Sequence, residues 1–212
     1  MKRSLSHLVV AGAVAAAVVV GGPSLAAAGH HGAHVVVPPG QAGPRVGPSS
    51  LYPDPTLTPG ATNPDITQAT INDTICNPNW HGVNPWTHTD ERGTKSVRPP
   101  ASFTNALKKK QLAAARYLDK MPTHYEEDHL ISLELGGNPS DEKNLWPEMW
   151  GTLNQPSTSR GPFPPELVGA KAKDAVENAL HTEVCAGTLT LKAAQTIIAT
   201  DWFKYYKEKI LK

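Results

Sequence analysis

The sequence predicts an α+β domain: a β-hairpin followed by a helix, with further helices flanking it. Two patterns carry the reading. Residues 125–135 run into a Gly136-Gly137 turn with Leu130-Ile131-Ser132-Leu133-Glu134-Leu135 alternating apolar and polar, and Asn144-Leu145-Trp146-Pro147 reads as the return strand. Val168, Ala172, Ala175, Val176, Ala179, Leu180 and Val184 then recur at helical spacing, as do Leu191, Ala194, Ile197, Ile198 and Trp202. The ordered part, residues 66–212, is the right length for one core.

The elements follow in chain order. Lys2 and Arg3 precede an apolar run from Leu8 to Val20 that ends near Ala26-Ala27-Ala28, the pattern of a secretory signal peptide over residues 1–28 with cleavage near Ala28. The run falls short of the ~20 residues a membrane span requires, so an exported protein without a membrane anchor is expected. Residues 29–65 are expected to form a disordered linker, because residues 29–64 hold eight prolines and six glycines with few apolar side chains. His30, His31 and His34 in this tail are given no role.

Loss of Lys2 and Arg3 leaves 18 basic against 19 acidic residues, a net charge of −1, so the overall charge does not announce a nucleic-acid binder. Local charge differs. Lys95, Arg98, Lys108, Lys109, Lys110, Arg116 and Lys120 stand against Asp119 alone between residues 95 and 120, a stripe able to follow phosphates. Lys108, Lys109 and Lys110 are its candidate contacts. The plain alternative is a solvated helix face. Cys76 and Cys185 are the only cysteines; in an exported chain they are expected to pair.

Residues 73–100, rich in Asn, Pro, Gly and Trp, read as irregular with a short strand near Lys95–Val97. A helix is expected after Ser102 or Thr104, running through Leu107, Leu112 and Ala115. The hairpin follows, its strands joined by the polar loop Asn138–Lys143. A proline-rich insertion, Gln155–Pro165, delays the next helix to about Glu166, and a last helix is expected over Leu191–Ile210.

The hairpin carries the chemistry. Tyr125-Glu126-Glu127-Asp128-His129 with Asn144 beyond the Gly-Gly turn resembles the HNH, or ββα-metal, endonucleases, and from Cys76 onward the chain is similar to small exported HNH-like bacterial proteins. The resemblance implies a metal-dependent endonuclease that cuts DNA with little sequence preference. Hydrolysis of a phosphodiester needs a deprotonated nucleophile and relief of charge on the leaving oxygen. The resemblance makes His129 the base, Asn144 the brace that holds it, and Asp128 a ligand to Mg²⁺, with Mn²⁺ as substitute. Adjacent strand residues point to opposite faces, so a shared site for Asp128 and His129 requires a bulge or a strand end.

The family often places a histidine eight or nine residues beyond the asparagine; here Leu153 and Asn154 stand near that distance. The helix ligand is therefore sought further on, with Asp174 preferred to His181 and Glu177 third. Lys173 is left as a possible phosphate contact, Glu126 and Glu127 as carboxylates behind the site, and no tryptophan is assigned to substrate. A rival reading is a non-catalytic ββα-metal module that binds nucleic acid or another surface ligand; another makes Asp128 and His129 a purely structural pair.

Overall fold

The computed structural model describes residues 51–114, 117, 119–151 and 168–212. The expected signal peptide, most of the linker, and the Gln155–Pro165 insertion with Leu153 and Asn154 lie outside the described residues. No helix among the described residues is long and apolar enough to cross a membrane.

Residues 51–65, expected as the end of the linker, are instead laid on the domain. Trp202 Nε1–H donates to the Leu51 carbonyl at 2.8 Å, and the Tyr52 and Trp202 rings meet at 6.0 Å. Gly60 N–H donates to the Lys143 carbonyl at 2.9 Å, and Thr62 bridges to Gly137. Composition hid this because the attachment is mostly backbone hydrogen bonding, which any sequence can supply.

The stretch expected to be irregular contains a short antiparallel hairpin, β1 (His81–Val83) with β2 (Asp90–Arg92). Strands of three residues are too short to display an alternation. The strand expected near Lys95–Val97 is a 3₁₀ turn, Gly93–Ser96. Asn84, almost fully buried, ties the hairpin down: its amide donates to the Lys95 and Arg98 carbonyls at 2.6 and 3.0 Å and accepts from Trp86 and Thr87 N–H. Helix α1 (Ala101–Ala114) starts directly after Pro99-Pro100 and buries Leu107 and Leu112.

The second hairpin pairs β3 (Tyr125–His129) with β4 (Leu145–Met149), with Glu126 opposite Glu148, Asp128 opposite Trp146 and His129 opposite Leu145. The strand expected to continue to Leu135 stops at His129. The Asn144 side chain takes over both backbone groups of Ile131, accepting from its N–H at 2.9 Å and donating to its carbonyl at 3.0 Å, which removes Ile131 from any ladder. Leu133–Leu135 then form a 3₁₀ turn ended by Gly136 at φ +71°. Gly137 is needed for a different reason: a Cβ there would lie 1.7 Å from the Ile131 carbonyl oxygen.

Helix α2 (Ala170–Cys185) presents Val176, Leu180 and Val184 to the core. Helix α3 (Leu191–Thr200) is capped by Thr190, which accepts from Ala193 N–H at 3.2 Å. The single final helix expected from periodicity breaks at Asp201 (φ −152°, ψ 31°) into α3, α4 (Trp202–Tyr205) and a π-helical turn, Tyr206–Ile210. The break lets Trp202 turn fully inward, where it packs with Ile198, Leu180 and Ile66.

Cys76 and Cys185 form a disulfide with Cα atoms 5.3 Å apart, fastening the irregular segment to the end of α2. It closes a loop with a sequence separation of 109. On the chain-entropy argument, reduction is expected to lower unfolding stability by about 4–5 kcal/mol. Urea unfolding with and without a phosphine reductant checks this; identical midpoints would show that the bridge constrains nothing.

Candidate functional site

Side chains alternate along β3, so Glu126 and Asp128 face one side while Tyr125, Glu127 and His129 face the other. No bulge interrupts the β3–β4 register; His129 is the last residue of its strand. The first side meets α2, and the second opens into a cleft whose edge Glu126 also reaches.

His129 is 5% exposed. Its Nε2 lies 2.9 Å from the Pro139 carbonyl, which can only accept, so Nε2 carries the proton and Nδ1 keeps its lone pair. Burial pushes the imidazole down to about 4, outweighing its neighbour Asp128, so it is neutral at physiological pH. Asn144 is fully buried and makes the loop that holds it: besides both Ile131 groups, its amide donates to the Asn138 carbonyl at 2.9 Å, one residue before Pro139. The Leu130 N–H donates to the Asn144 carbonyl at 2.8 Å. Asn144 thus ties the residues just after His129 to the loop that carries Pro139.

The cleft has a volume of about 570 Å³ and is lined by His129, Glu126 and Glu127 together with Arg98, Lys108, Lys109 and Trp150. The basic stripe therefore divides. Lys108 donates to the Tyr125 carbonyl at 2.9 Å and, with Lys109, faces the cleft, whereas Lys110 pairs with Glu142 at 2.8 Å. Both oxygens of Glu127 are buried without a hydrogen-bond partner among the described residues. Burial, against the pull of Lys108, raises Glu127 to about 8; burial and Asp128 raise Glu126 to about 7. A neutral base and a protonated carboxyl thus line the same space.

On the other side, the residue of α2 that meets Asp128 is Lys173. Its ammonium is fully buried, 2.7 Å from Asp128 Oδ2 as an ion pair, and donates to the His129 carbonyl at 2.9 Å and to Glu177 at 2.5 Å. Burial alone would discharge it, but Asp128 foremost, and then Glu177, overrule that and hold it charged. Glu148, opposite Glu126 in the hairpin, is also buried, and neither of its oxygens has a hydrogen-bond partner among the described residues. Burial and then Asp128 push its carboxyl well above the ordinary range, so it sits in the fold as the neutral acid.

Each carboxylate of the expected metal pair is held by a lysine, Asp128 by Lys173 and Asp174 by Lys171. Asp174 Oδ2 lies 2.6 Å from Lys171 Nζ on the exposed side of α2, and His181 is two turns from Lys173, roughly 12 Å along the axis. His181 Nε2 lies 2.8 Å from the Ile75 carbonyl. With a cation already against Asp128, the residues present do not fit Mg²⁺ held by Asp128 and Asp174. Sequence reasoning left Lys173 as a possible phosphate contact and did not foresee its burial against Asp128, although 173, 176, 180 and 184 lie on one helical stripe whose other members are apolar. Comparison with protein-family models, with curated proteins and with solved structures finds no match.

Proposed function

We propose that the chain is an exported phosphodiesterase of the HNH-like ββα kind, acting on nucleic acid with His129 as general base. The observation that carries the reading is the His129 geometry: a neutral imidazole, oriented through Nε2–H to Pro139, on the wall of a cleft lined by Arg98, Lys108 and Lys109. Nδ1 takes the proton of the attacking hydroxyl or water. The three cations neutralise the phosphate, and Glu127, protonated near neutral pH, can return a proton to the leaving oxygen. DNA is the expected substrate, and contacts of this kind hold a phosphate without reading bases.

The test is incubation of the mature chain with plasmid DNA and with RNA, each with Mg²⁺, Mn²⁺ or EDTA. Nicking that persists in EDTA is expected from the ammonium held against Asp128; nicking only with metal would restore a metal-dependent site and require Lys173 to move. Reversing Lys108 and Lys109 to Glu should weaken binding and flatten its salt dependence by about two phosphate contacts. The same ion pair favours a second reading, a binding module without catalysis, because it closes one oxygen of Asp128. Binding without any cleavage would select it.

A further inference from the structure

A second cluster sits at the opposite end of α2 from Lys173. Cys76 Sγ, Cys185 Sγ and His181 Nε2 all lie within 4.8 Å of one another, and the three residues are half-buried. His181 and Cys185 are four residues apart on one helix face, with Nε2 and Sγ 3.3 Å apart. Cys76 is brought to them by its own segment. Ile71 and Ile75 are core residues, and Cys76 N–H donates to the Ile71 carbonyl at 2.9 Å. The site is therefore positioned by the core as well as by the sulfur–sulfur bond.

We propose that the reduced chain binds a thiophilic divalent cation, Zn²⁺ foremost, through Cys76, His181 and Cys185. Metal and disulfide are then alternative fastenings of the same two segments. In the oxidised chain the two sulfurs bond each other, and His181 Nε2–H is satisfied by the Ile75 carbonyl at 2.8 Å. A dithiol or phosphine reductant supplies two electrons, and two protons complete the thiols. The cation displaces those protons to leave two thiolates. His181 moves its proton to Nδ1 and offers the Nε2 lone pair. Two sulfurs and one imidazole suit Zn²⁺, which takes sulfur at roughly 2.3 Å and nitrogen at roughly 2.0–2.1 Å, with water as a fourth ligand. Hard cations such as Mg²⁺ prefer oxygen and are not bound here.

A bland account exists, in which His181 does no more than cap the Ile75 carbonyl. The two differ in what the reduced protein does with metal. The full mature chain, reduced with a phosphine, is titrated with Co²⁺ as a spectroscopic probe and then with Zn²⁺ as competitor. One equivalent of Co²⁺ should give thiolate charge-transfer and tetrahedral ligand-field bands, Zn²⁺ should bleach them, and the oxidised chain should give neither. His181→Gln retains a donor for the Ile75 carbonyl but is a poorer ligand. It should raise the dissociation constant on the order of tenfold or more, since even residues behind a ligand are worth that much. Should the reduced chain lose helical circular dichroism before metal is added, one equivalent of Zn²⁺ is expected to restore it. Absence of thiolate bands, equal affinity of His181→Gln, or failure of Zn²⁺ to restore lost helix would each overturn the proposal.

Discussion

His129→Ala is expected to lower phosphodiester cleavage by about 10²–10⁴-fold, the usual worth of a positioned general base. The pH profile gives the assignment its sharper form. With His129 lowered to about 4 and Glu127 raised to about 8, activity should rise through the first value and fall above the second. Glu127→Gln should remove the alkaline limb, and His129→Ala should leave a low activity without the acid limb. Plasmid nicking measured from pH 3.5 to 9.5 on parent and variants makes the comparison, with folding checked by circular dichroism. Parental rates in His129→Ala would remove the base from the mechanism.

Lys173→Met is expected to have the largest effect on stability, about 3–5 kcal/mol, because it leaves Asp128 buried without its counter-charge and Glu177 without its donor. The loss should depend on pH. Carboxyls raised in the folded state, here Glu126, Glu127, Glu134, Glu148 and Glu177, contribute stability that is present below about pH 4.5 and lost as pH rises through their folded values. His129, lowered by burial, acts oppositely: its contribution is present above about 6.5 and lost as pH falls toward 4. Five raised carboxyls outweigh one imidazole, so the parent should weaken between pH 5 and 8. Without the ammonium that pulls it down, Glu177 should rise further, and Lys173→Met should weaken more steeply over that range. Urea midpoints at pH 5, 6.5 and 8 read this directly. A variant parallel to the parent at every pH would mean that the ammonium does not hold the carboxylates.

Much of the hairpin was legible in the sequence because its signals are local. The Gly136-Gly137 turn and the return strand at Leu145 each mark a boundary within a few residues. The pairing of Cys76 with Cys185 followed from compartment chemistry and the absence of any third thiol. Lys173 was not legible in the same way. A lysine is ordinarily solvated, and its burial becomes reasonable only once Asp128, Glu177 and the His129 carbonyl are seen to converge on it. Asp174 drew attention because it is a carboxylate on the polar side of α2, where the structure pairs it with Lys171. The end of β3 at His129 was hidden because the alternation over residues 130–135 is real, but Asn144, a side chain from the turn just before β4, claims Ile131 before a ladder can.

The strap formed by residues 51–62 bears on the order in which the molecule can be completed. Leu51 offers its carbonyl to Trp202 across 151 residues of sequence, and Ala61 N–H approaches Asn144 Oδ1 across 83. A chain that emerges N-terminus first presents Leu51 long before its partner exists, and closing so long a loop is slow. The two hairpins and α1 can form as they appear, but the strap must wait for the last helix and then be laid down over it. Its opening edge is therefore the place where a protease would find the unfinished molecule and miss the finished one.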